Sequence, residues 1–192
     1  MAGIRLIVGL GNPGAEYAQT RHNAGFWFVG RLVEQEALAL RPDKRFFGLA
    51  GRWGDVWLLA PQTYMNRSGG PVAAMANFYR VSPEEILVAH DELDLPPGAV
   101  RLKRGGGHAG HNGLRDVSGC LGSGDFWRLR LGIGHPRSQG LDQPVADYVL
   151  HRPTAVQKAA IDDAVQRAVT MAPYLLRGEF AVAMQRLHTQ EP

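Results

Sequence analysis

Cysteine is the residue that this chain most clearly lacks: Cys120 is the only one among 192 residues. A single thiol excludes an internal disulfide and any zinc site built from several cysteines, which suits a reducing compartment. Cys120 could act as a nucleophile, but a small buried apolar residue is the interpretation that we favour.

Long apolar runs are also missing. The longest are the length of a strand and far short of the roughly 20 residues that span a membrane. Arg5 interrupts the N-terminal apolar run, which lacks the order of regions of a signal peptide. We therefore expect no membrane association and a cytoplasmic location. With 45% hydrophobic and 20% charged residues, the composition is typical of one globular domain, expected over residues 1–192.

The net charge of +3 shows little excess of either sign, but the charge is unevenly distributed. Residues 101–152 contain eight basic and four acidic residues, a net charge of +4, so the other 140 residues are close to neutral. A concentrated basic stretch can contact phosphates. A solvated surface explains the same charge equally well.

Short β-rich runs alternate with helical patterns along the chain, which predicts an α/β domain with a largely parallel or mixed sheet. Predicted strands cover residues 4–9, 47–53, 55–60, 86–89, 100–103 and 127–133. Predicted helices cover residues 24–40, 68–79, 114–121, 154–176 and 180–187. Pro173 is expected to interrupt the fourth helix near its end.

Gly9, Gly11 and Gly14 formally match the glycine fingerprint of dinucleotide-binding folds. That fingerprint requires a helix to begin within the glycines, so that its N-terminus meets a pyrophosphate. Pro13 disfavours helical angles at Asn12 and removes a donor, and the next helical pattern begins only near Asn23. The sequence therefore favours a loop that presents Asn12 and His22.

His22 is a candidate general base, because an imidazole with a pKa of about 6.5 accepts and returns a proton near neutrality. Asp91 follows an apolar strand, where its carboxylate could bind one nitrogen of His22 and leave the other free to deprotonate water. Asp91 could instead cap the turn at Pro96-Pro97-Gly98, and for Asp94 capping is the interpretation that we prefer.

Three asparagines lie in separate predicted loops: Asn12, Asn66 and Asn112. Each amide offers donors and an acceptor that could hold a carbonyl oxygen without adding charge. For any one of them alone, turn formation is the simpler explanation. Together with His22 and Asp91, the three favour a polar pocket.

A metal site is the main alternative for the histidine-rich segments, and its possible ligands are His90, Asp91, His108 and His111. Their spacing matches no strong metal motif. The glycines of residues 105–113 indicate a loop that lets a bulky substrate approach the backbone, with simple turn formation as the alternative. The sequence predicts no metal and no other cofactor.

Six segments resemble the bacterial peptidyl-tRNA hydrolases: GLGNPG, YAQTRHNAGF, TYMNRSG, HDELDLPPG, RLKRGGGHAGHNGLRD and RLRLGIGHP. They occur in order over nearly the whole chain. The resemblance implies a single α/β domain, normally monomeric, with a twisted mixed sheet flanked by helices. It also implies cleavage of the ester between a peptide and the 3′ ribose of tRNA, without a cofactor or an obligate protein partner.

The resemblance also implies roles for individual residues. His22 matches the general base, Asp91 its orienting carboxylate, and Asn12, Asn66 and Asn112 the groups around the scissile ester. Further matching positions are Tyr17, Met65 and His111 in the pocket and Lys103 and Arg130 at the tRNA phosphates. His135 lies where the family carries a different basic residue. The rival interpretations are a non-catalytic RNA-binding relative and an unrelated small-ester hydrolase.

Overall fold

A computed structural model describes residues 2–189, and its seven strands form one sheet. The strands are β1 (Leu6–Gly9), β2 (Arg41–Asp43), β3 (Gly48–Trp53), β4 (Val56–Pro61), β5 (Ile86–Glu92), β6 (Val100–Arg104) and β7 (Trp127–Gly132). Their order across the sheet is β2-β3-β4-β1-β5-β7-β6. The four central strands are parallel, whereas the outer pairings, β2–β3, β3–β4 and β6–β7, are antiparallel.

Helices cover both faces of this sheet. They are α1 (Ala24–Gln35), α2 (Gly69–Tyr79), α3 (Asn112–Leu121), α4 (Val145–Val149), α5 (Ala155–Leu176) and α6 (Phe180–His188). One buried core joins α1, α5 and α6 to the sheet, and a second lies under α2 and α3. The predicted α/β class with a mixed sheet flanked by helices is thus confirmed. The expected domain of residues 1–192 includes residue 1 and residues 190–192, which lie outside the described part.

Two glycines bring α1 close to the carboxyl ends of the central strands. A Cβ atom on Gly25 would lie 2.3 Å from the Ala89 carbonyl oxygen, and one on Gly9 would lie 2.3 Å from the Gly25 carbonyl oxygen. A side chain at either position would therefore push α1 away from the sheet. Because the turn that precedes α1 carries His22, this close contact also sets the height of His22 above the strand ends.

The structure corrects three details of the predicted elements. Helix α1 ends at Gln35 and not at residue 40, because the chain reverses at Ala37, whose φ is 52°. The short elements β2 and α4 were not predicted. Pro173 does not interrupt α5, which continues to Leu176; in this last turn the Pro173 carbonyl still accepts a bond from the Arg177 amide.

Within residues 2–189, no helix combines the length and the apolar composition that crossing a bilayer requires.

Candidate active site

The candidate site lies at the carboxyl ends of β1 and β5, which are neighbouring parallel strands. The chain leaves β1, forms a loop and a single 3-10 turn at Arg21–Asn23, and then enters α1. Asp91 is the penultimate residue of β5. Because parallel strands end at the same edge of a sheet, the topology brings His22 beside Asp91, as the sequence predicted.

Asp91 accepts hydrogen bonds from two imidazole rings. One of its carboxylate oxygens, Oδ2, lies 2.8 Å from Nδ1 of His22, and Oδ1 lies 2.8 Å from Nε2 of His111. The other nitrogen of His111, Nδ1, accepts from the Leu114 amide at 3.2 Å. His111 therefore carries its proton on Nε2 and donates it to Asp91. His22 in turn donates from Nδ1, which leaves its Nε2 unprotonated.

Electrostatics favour charge separation in this group. Asp91 is only 3% exposed. Burial disfavours its charged form, but the two imidazoles outweigh that effect and hold the pKa of Asp91 well below its usual range. Burial likewise disfavours the imidazolium of His22, yet the attraction of Asp91 prevails and raises the pKa of His22. The pair is thus suited to a base that becomes transiently charged.

The turn that carries His22 is fixed by both of its neighbours. Asn23 exchanges two hydrogen bonds with the backbone of Asn12, at 2.9 and 3.0 Å. Arg21 is buried, stacks 3.8 Å over the ring of Tyr148 and donates to the Tyr148 carbonyl oxygen at 2.9 Å. His22 is therefore held between the first loop and α4.

The predicted pocket residues Asn12, Met65 and Tyr17 lie in the loops that follow β1 and β4. The Oδ1 atom of Asn12 accepts from the Met65 amide at 2.7 Å, so the asparagine joins two loops. Met65 is buried, and Tyr17 packs edge-on against the exposed ring of Tyr64, with centroids 6.4 Å apart. The carboxamide of Asn12 thus already has a structural partner on its oxygen, whereas its nitrogen forms no hydrogen bond within residues 2–189.

His22 is one of the residues that line a cavity of about 180 Å³. Asp91, His111, Asn112 and Lys103 line it together with the glycine-rich loop, residues 105–110. Val145, Ala146 and Val149 of α4 form an apolar wall. Since Asn112 also borders a second groove, the two openings meet at this asparagine.

That second groove contains Asn66, Asn112 and Cys120. Cys120 is exposed, so its predicted burial is wrong: it lies on the outer face of α3, where the apolar pattern of the helix points the other way. Partial burial and the neighbouring Asp116 raise the pKa of the Cys120 thiol. A raised pKa disfavours the thiolate, which makes Cys120 a weak nucleophile at neutral pH.

The basic stretch forms one face of the β6–β7 edge. Paired register places Lys103 opposite Arg128 and Arg101 opposite Arg130, all on the same side of the sheet. The Nε atom of Arg130 donates to Glu92 at 2.7 Å, which leaves the ends of its guanidinium for a further partner. Lys103 is exposed at the mouth of the cavity and forms no ion pair with any residue in the range 2–189. Both cations therefore lie near the site, but only Lys103 lacks an internal counterion.

His22, Asp91 and His111 are also residue types that bind metals, and their candidate ligand atoms lie within 4.8 Å of one another. In the structure these atoms are joined by direct hydrogen bonds of 2.8 Å. A cation would have to replace both imidazole protons and separate the hydrogen-bonded atoms. The contacts favour proton chemistry at this group.

Comparisons with known proteins agree with this geometry. A sequence profile described as Peptidyl-tRNA hydrolase matches residues 6–192. The chain belongs to the peptidyl-tRNA hydrolase family. The peptidyl-tRNA hydrolase of Pseudomonas putida is 55% identical over the full length of both chains, and that of Bordetella petrii is 54% identical over 97% of this chain and 90% of its own. A crystal structure of the Acinetobacter baumannii peptidyl-tRNA hydrolase superposes with a TM-score of 0.93 at 48% identity, covering 98% of this chain and 96% of the other.

As a member of the peptidyl-tRNA hydrolase family, the chain is an enzyme. Some features of its site were not predicted from the sequence. His111 was expected to line the pocket, and the structure shows in addition that it shares Asp91 with His22. The only sequence signal for this shared contact is the position of His111 immediately before α3. A side chain at that position caps the helix, and the capping bond fixes which nitrogen of His111 carries the proton. Both His90 and Arg128 are buried beside the cavity. The sequence indicated His90 only as a possible metal ligand and Arg128 only as part of the basic stretch.

Proposed function

We propose that this enzyme hydrolyses the ester that joins a peptide to the 3′ ribose of tRNA, with His22 as general base and Asp91 as its orienting carboxylate. The observation that carries the proposal is the bond from Nδ1 of His22 to Asp91, which leaves Nε2 of His22 free to accept a proton. In an ester hydrolase without a protein nucleophile, that proton comes from water.

The reaction has two proton transfers. Nε2 of His22 takes a proton from water as the oxygen attacks the ester carbonyl, and the resulting imidazolium is stabilised by the carboxylate of Asp91. When the tetrahedral intermediate collapses, the same imidazolium returns its proton to the departing 3′ oxygen of the ribose. The products are tRNA and a peptide carboxylic acid, which releases its remaining proton to solvent as the carboxylate, and the histidine is neutral again.

Asparagine amides supply the donors for the developing oxyanion. Asn112 lines the cavity with His22, Asn66 borders the groove that Asn112 shares, and Asn12 is bonded to Asn23 in the turn that carries His22. Neutral donors stabilise negative charge in the transition state without raising the pKa of the base further. We assign these three amides, with Tyr17, Met65 and His111, to the ester and the residues beside it.

Lys103 and Arg130 are assigned to the phosphates of the tRNA. Their shared face at the β6–β7 edge adjoins the cavity mouth, so a bound phosphate would direct the acceptor end towards His22. Electrostatic anchoring of this kind is independent of sequence and weakens with salt. Anchoring of the phosphates would also distinguish a tRNA ester, which carries phosphates, from a small ester that has none. We further propose that the enzyme is a cytoplasmic monomer, on the strength of the family resemblance.

The decisive experiment measures peptide release from labelled N-acetyl-aminoacyl-tRNA by the wild type and by His22→Ala. His135→Ala is the matched control, because His135 lies outside both cavities described above. We expect rapid cleavage that resists a chelator, is lost in His22→Ala and is retained in the control. Binding of tRNA without cleavage by the wild type would support a non-catalytic RNA-binding protein, and equal cleavage of a small ester would support the small-ester hydrolase. Chelator-sensitive cleavage would support the metal alternative.

A further inference from the structure

Arg128 is a buried cation beside the cavity whose guanidinium is bound by backbone carbonyls. It is 3% exposed and projects from the start of β7, where it is the second residue, onto the face that bears α2 and α3. One end of its guanidinium, Nη2, donates to the Gly106 carbonyl at 2.7 Å and to the Gly124 carbonyl at 3.1 Å. The other, Nη1, donates to the Gly107 carbonyl. Within residues 2–189 it forms no salt bridge to a carboxylate.

The loop that Arg128 binds is also tied to the sheet at its start, where the Gly105 amide donates to the Phe126 carbonyl at 2.9 Å. Gly105 and Gly106 have φ values of 68° and 101°, in the region that favours glycine, so this stretch cannot join a strand or a helix. Carbonyls in such a loop need partners from outside it. Arg128 is the donor to the carbonyls of two successive residues, Gly106 and Gly107. Through its bond to Gly124, it also connects this loop to the segment between α3 and β7.

The same loop forms part of the substrate cavity. Gly105 and Gly107 line the cavity together with Arg128, and the ammonium of Lys103 lies so close to Gly106 that a Cβ there would be 2.9 Å from Nζ. The loop then leads directly into His111, whose backbone amide donates to the His108 carbonyl at 2.8 Å. Displacing the loop would therefore open the cavity wall beside Lys103.

We propose that Arg128 is a positioning residue for substrate binding, which holds the glycine-rich loop closed against the cavity so that the tRNA end meets a preformed wall. The inference rests on the proposed function. It assigns to Arg128 no contact with the reacting atoms, since Asp91 and His22 have their own partners. Its loss raises KM and leaves the proton chemistry unchanged.

The test compares Arg128→Met and Arg128→Lys with a matched control, Arg167→Met. Arg167 also donates to a glycine carbonyl, that of Gly98, but it lies on α5 across the sheet from the cavity. Lysine keeps the charge at position 128 but cannot bond two carbonyls in the fixed fork of a guanidinium. The full-length enzyme is assayed for kcat and KM on N-acetyl-aminoacyl-tRNA, and for amide hydrogen exchange in residues 105–111.

For Arg128→Met we expect KM to rise at least about tenfold, because the variant loses all three carbonyl bonds and a single bond from a charged donor already corresponds to about a tenfold change. Exchange in residues 105–111 should become faster, with kcat and its pH profile unchanged. Arg128→Lys should lie between this variant and the wild type, and Arg167→Met should lose stability alone. If the methionine variant does not fold, the lysine variant provides the same comparison.

Two results would overturn the proposal. In the first, Arg128→Met lowers the melting temperature as Arg167→Met does, with KM and loop exchange unaltered, which would make Arg128 merely structural. In the second, kcat falls and its pH profile shifts, which would place the effect at His22 and Asp91. Absence of cleavage by the wild type would refute the proposed function instead, and the exchange measurement would still decide whether Arg128 holds the loop.

Discussion

Asp91→Asn is the most informative single substitution, because an amide cannot accept from both imidazoles as the carboxylate does. Two arrangements are open to it. In the first, the amide oxygen accepts from Nδ1 of His22 and the amide nitrogen faces His111. His111 must then move its proton to Nδ1, where it opposes the Leu114 amide that it binds at 3.2 Å in the wild type.

The second arrangement turns the amide around. Its oxygen accepts from Nε2 of His111, which keeps the bond to Leu114, and its nitrogen donates to Nδ1 of His22. The proton of His22 must then reside on Nε2, which can no longer deprotonate water. The first arrangement leaves a buried amide unpaired at a cost of about 1–3 kcal/mol, so the inactive arrangement dominates by roughly 5- to 150-fold.

The expected result is a fall in kcat of at least about 5- to 150-fold from the tautomer population alone, with the full contribution of a general base, about 10²- to 10⁴-fold, as its upper bound and little change in KM. The pH profile gives a second readout. Because Asp91 raises the pKa of His22, any residual activity in Asp91→Asn should have its acid limb at lower pH than in the wild type. Steady-state kinetics on N-acetyl-aminoacyl-tRNA between pH 5 and 9 would measure both.

A double-mutant cycle with His111→Phe completes the test. If His111 acts through Asp91, its removal should reduce kcat much less in the Asp91→Asn background than in the wild type, because the tautomer conflict disappears. Wild-type kcat in Asp91→Asn, or multiplicative losses in the double variant, would refute this account of the shared carboxylate.

Three further predictions concern stability and binding. Burial lowers the pKa of His90 to about 3, so the unfolded chain binds a proton that the folded chain excludes as pH falls below 6.5. Between pH 7 and pH 5 the wild type should therefore lose about 2 kcal/mol more unfolding free energy than His90→Asn, as measured by urea titration; equal losses would contradict this. Lys103→Ala should raise KM and reduce the slope of log KM against log salt by about one, and an unchanged slope would remove Lys103 from the phosphate contacts. In Gly113→Ala the new Cβ would lie 2.5 Å from the Met65 sulfur and 3.0 Å from Cε1 of His111. We therefore expect the free energy of unfolding, measured by thermal denaturation, to fall by about 1–3 kcal/mol and kcat to fall with it. An unfolding free energy and a kcat equal to those of the wild type would show that the neighbouring side chains accommodate the methyl group without strain.

The sequence predicts the elements best where a long pattern determines them. The periodic apolar face of α5 and the buried run of β5 were both placed within a few residues. The prediction for α1 extended too far because Leu38 and Leu40 continue its helical spacing, although they reach the core only after the chain reverses at Ala37. Strand β2 has three residues and a proline, so only its pairing with β3 identifies it.

For the site, the sequence predicted which side chains lie close together but not all of their hydrogen bonds. Side chains at neighbouring strand ends must converge, which is why His22 and Asp91 could be paired from the sequence. Hydrogen-bond partners that depend on three-dimensional register could not be predicted. The second imidazole on Asp91 and the internal partner of Arg130 follow from how β5, β7 and the loop before α3 meet. No spacing in the chain encodes those contacts.

The lone thiol has a practical consequence for following substrate occupancy. Cys120 is exposed in the groove that also contains Asn66 and Asn112, and no other cysteine competes for a reagent. A maleimide fluorophore can thus be attached at one defined point of the natural sequence, although slowly at neutral pH, because the raised pKa of the Cys120 thiol makes the reactive thiolate scarce. Its emission would report in real time when the groove fills and empties.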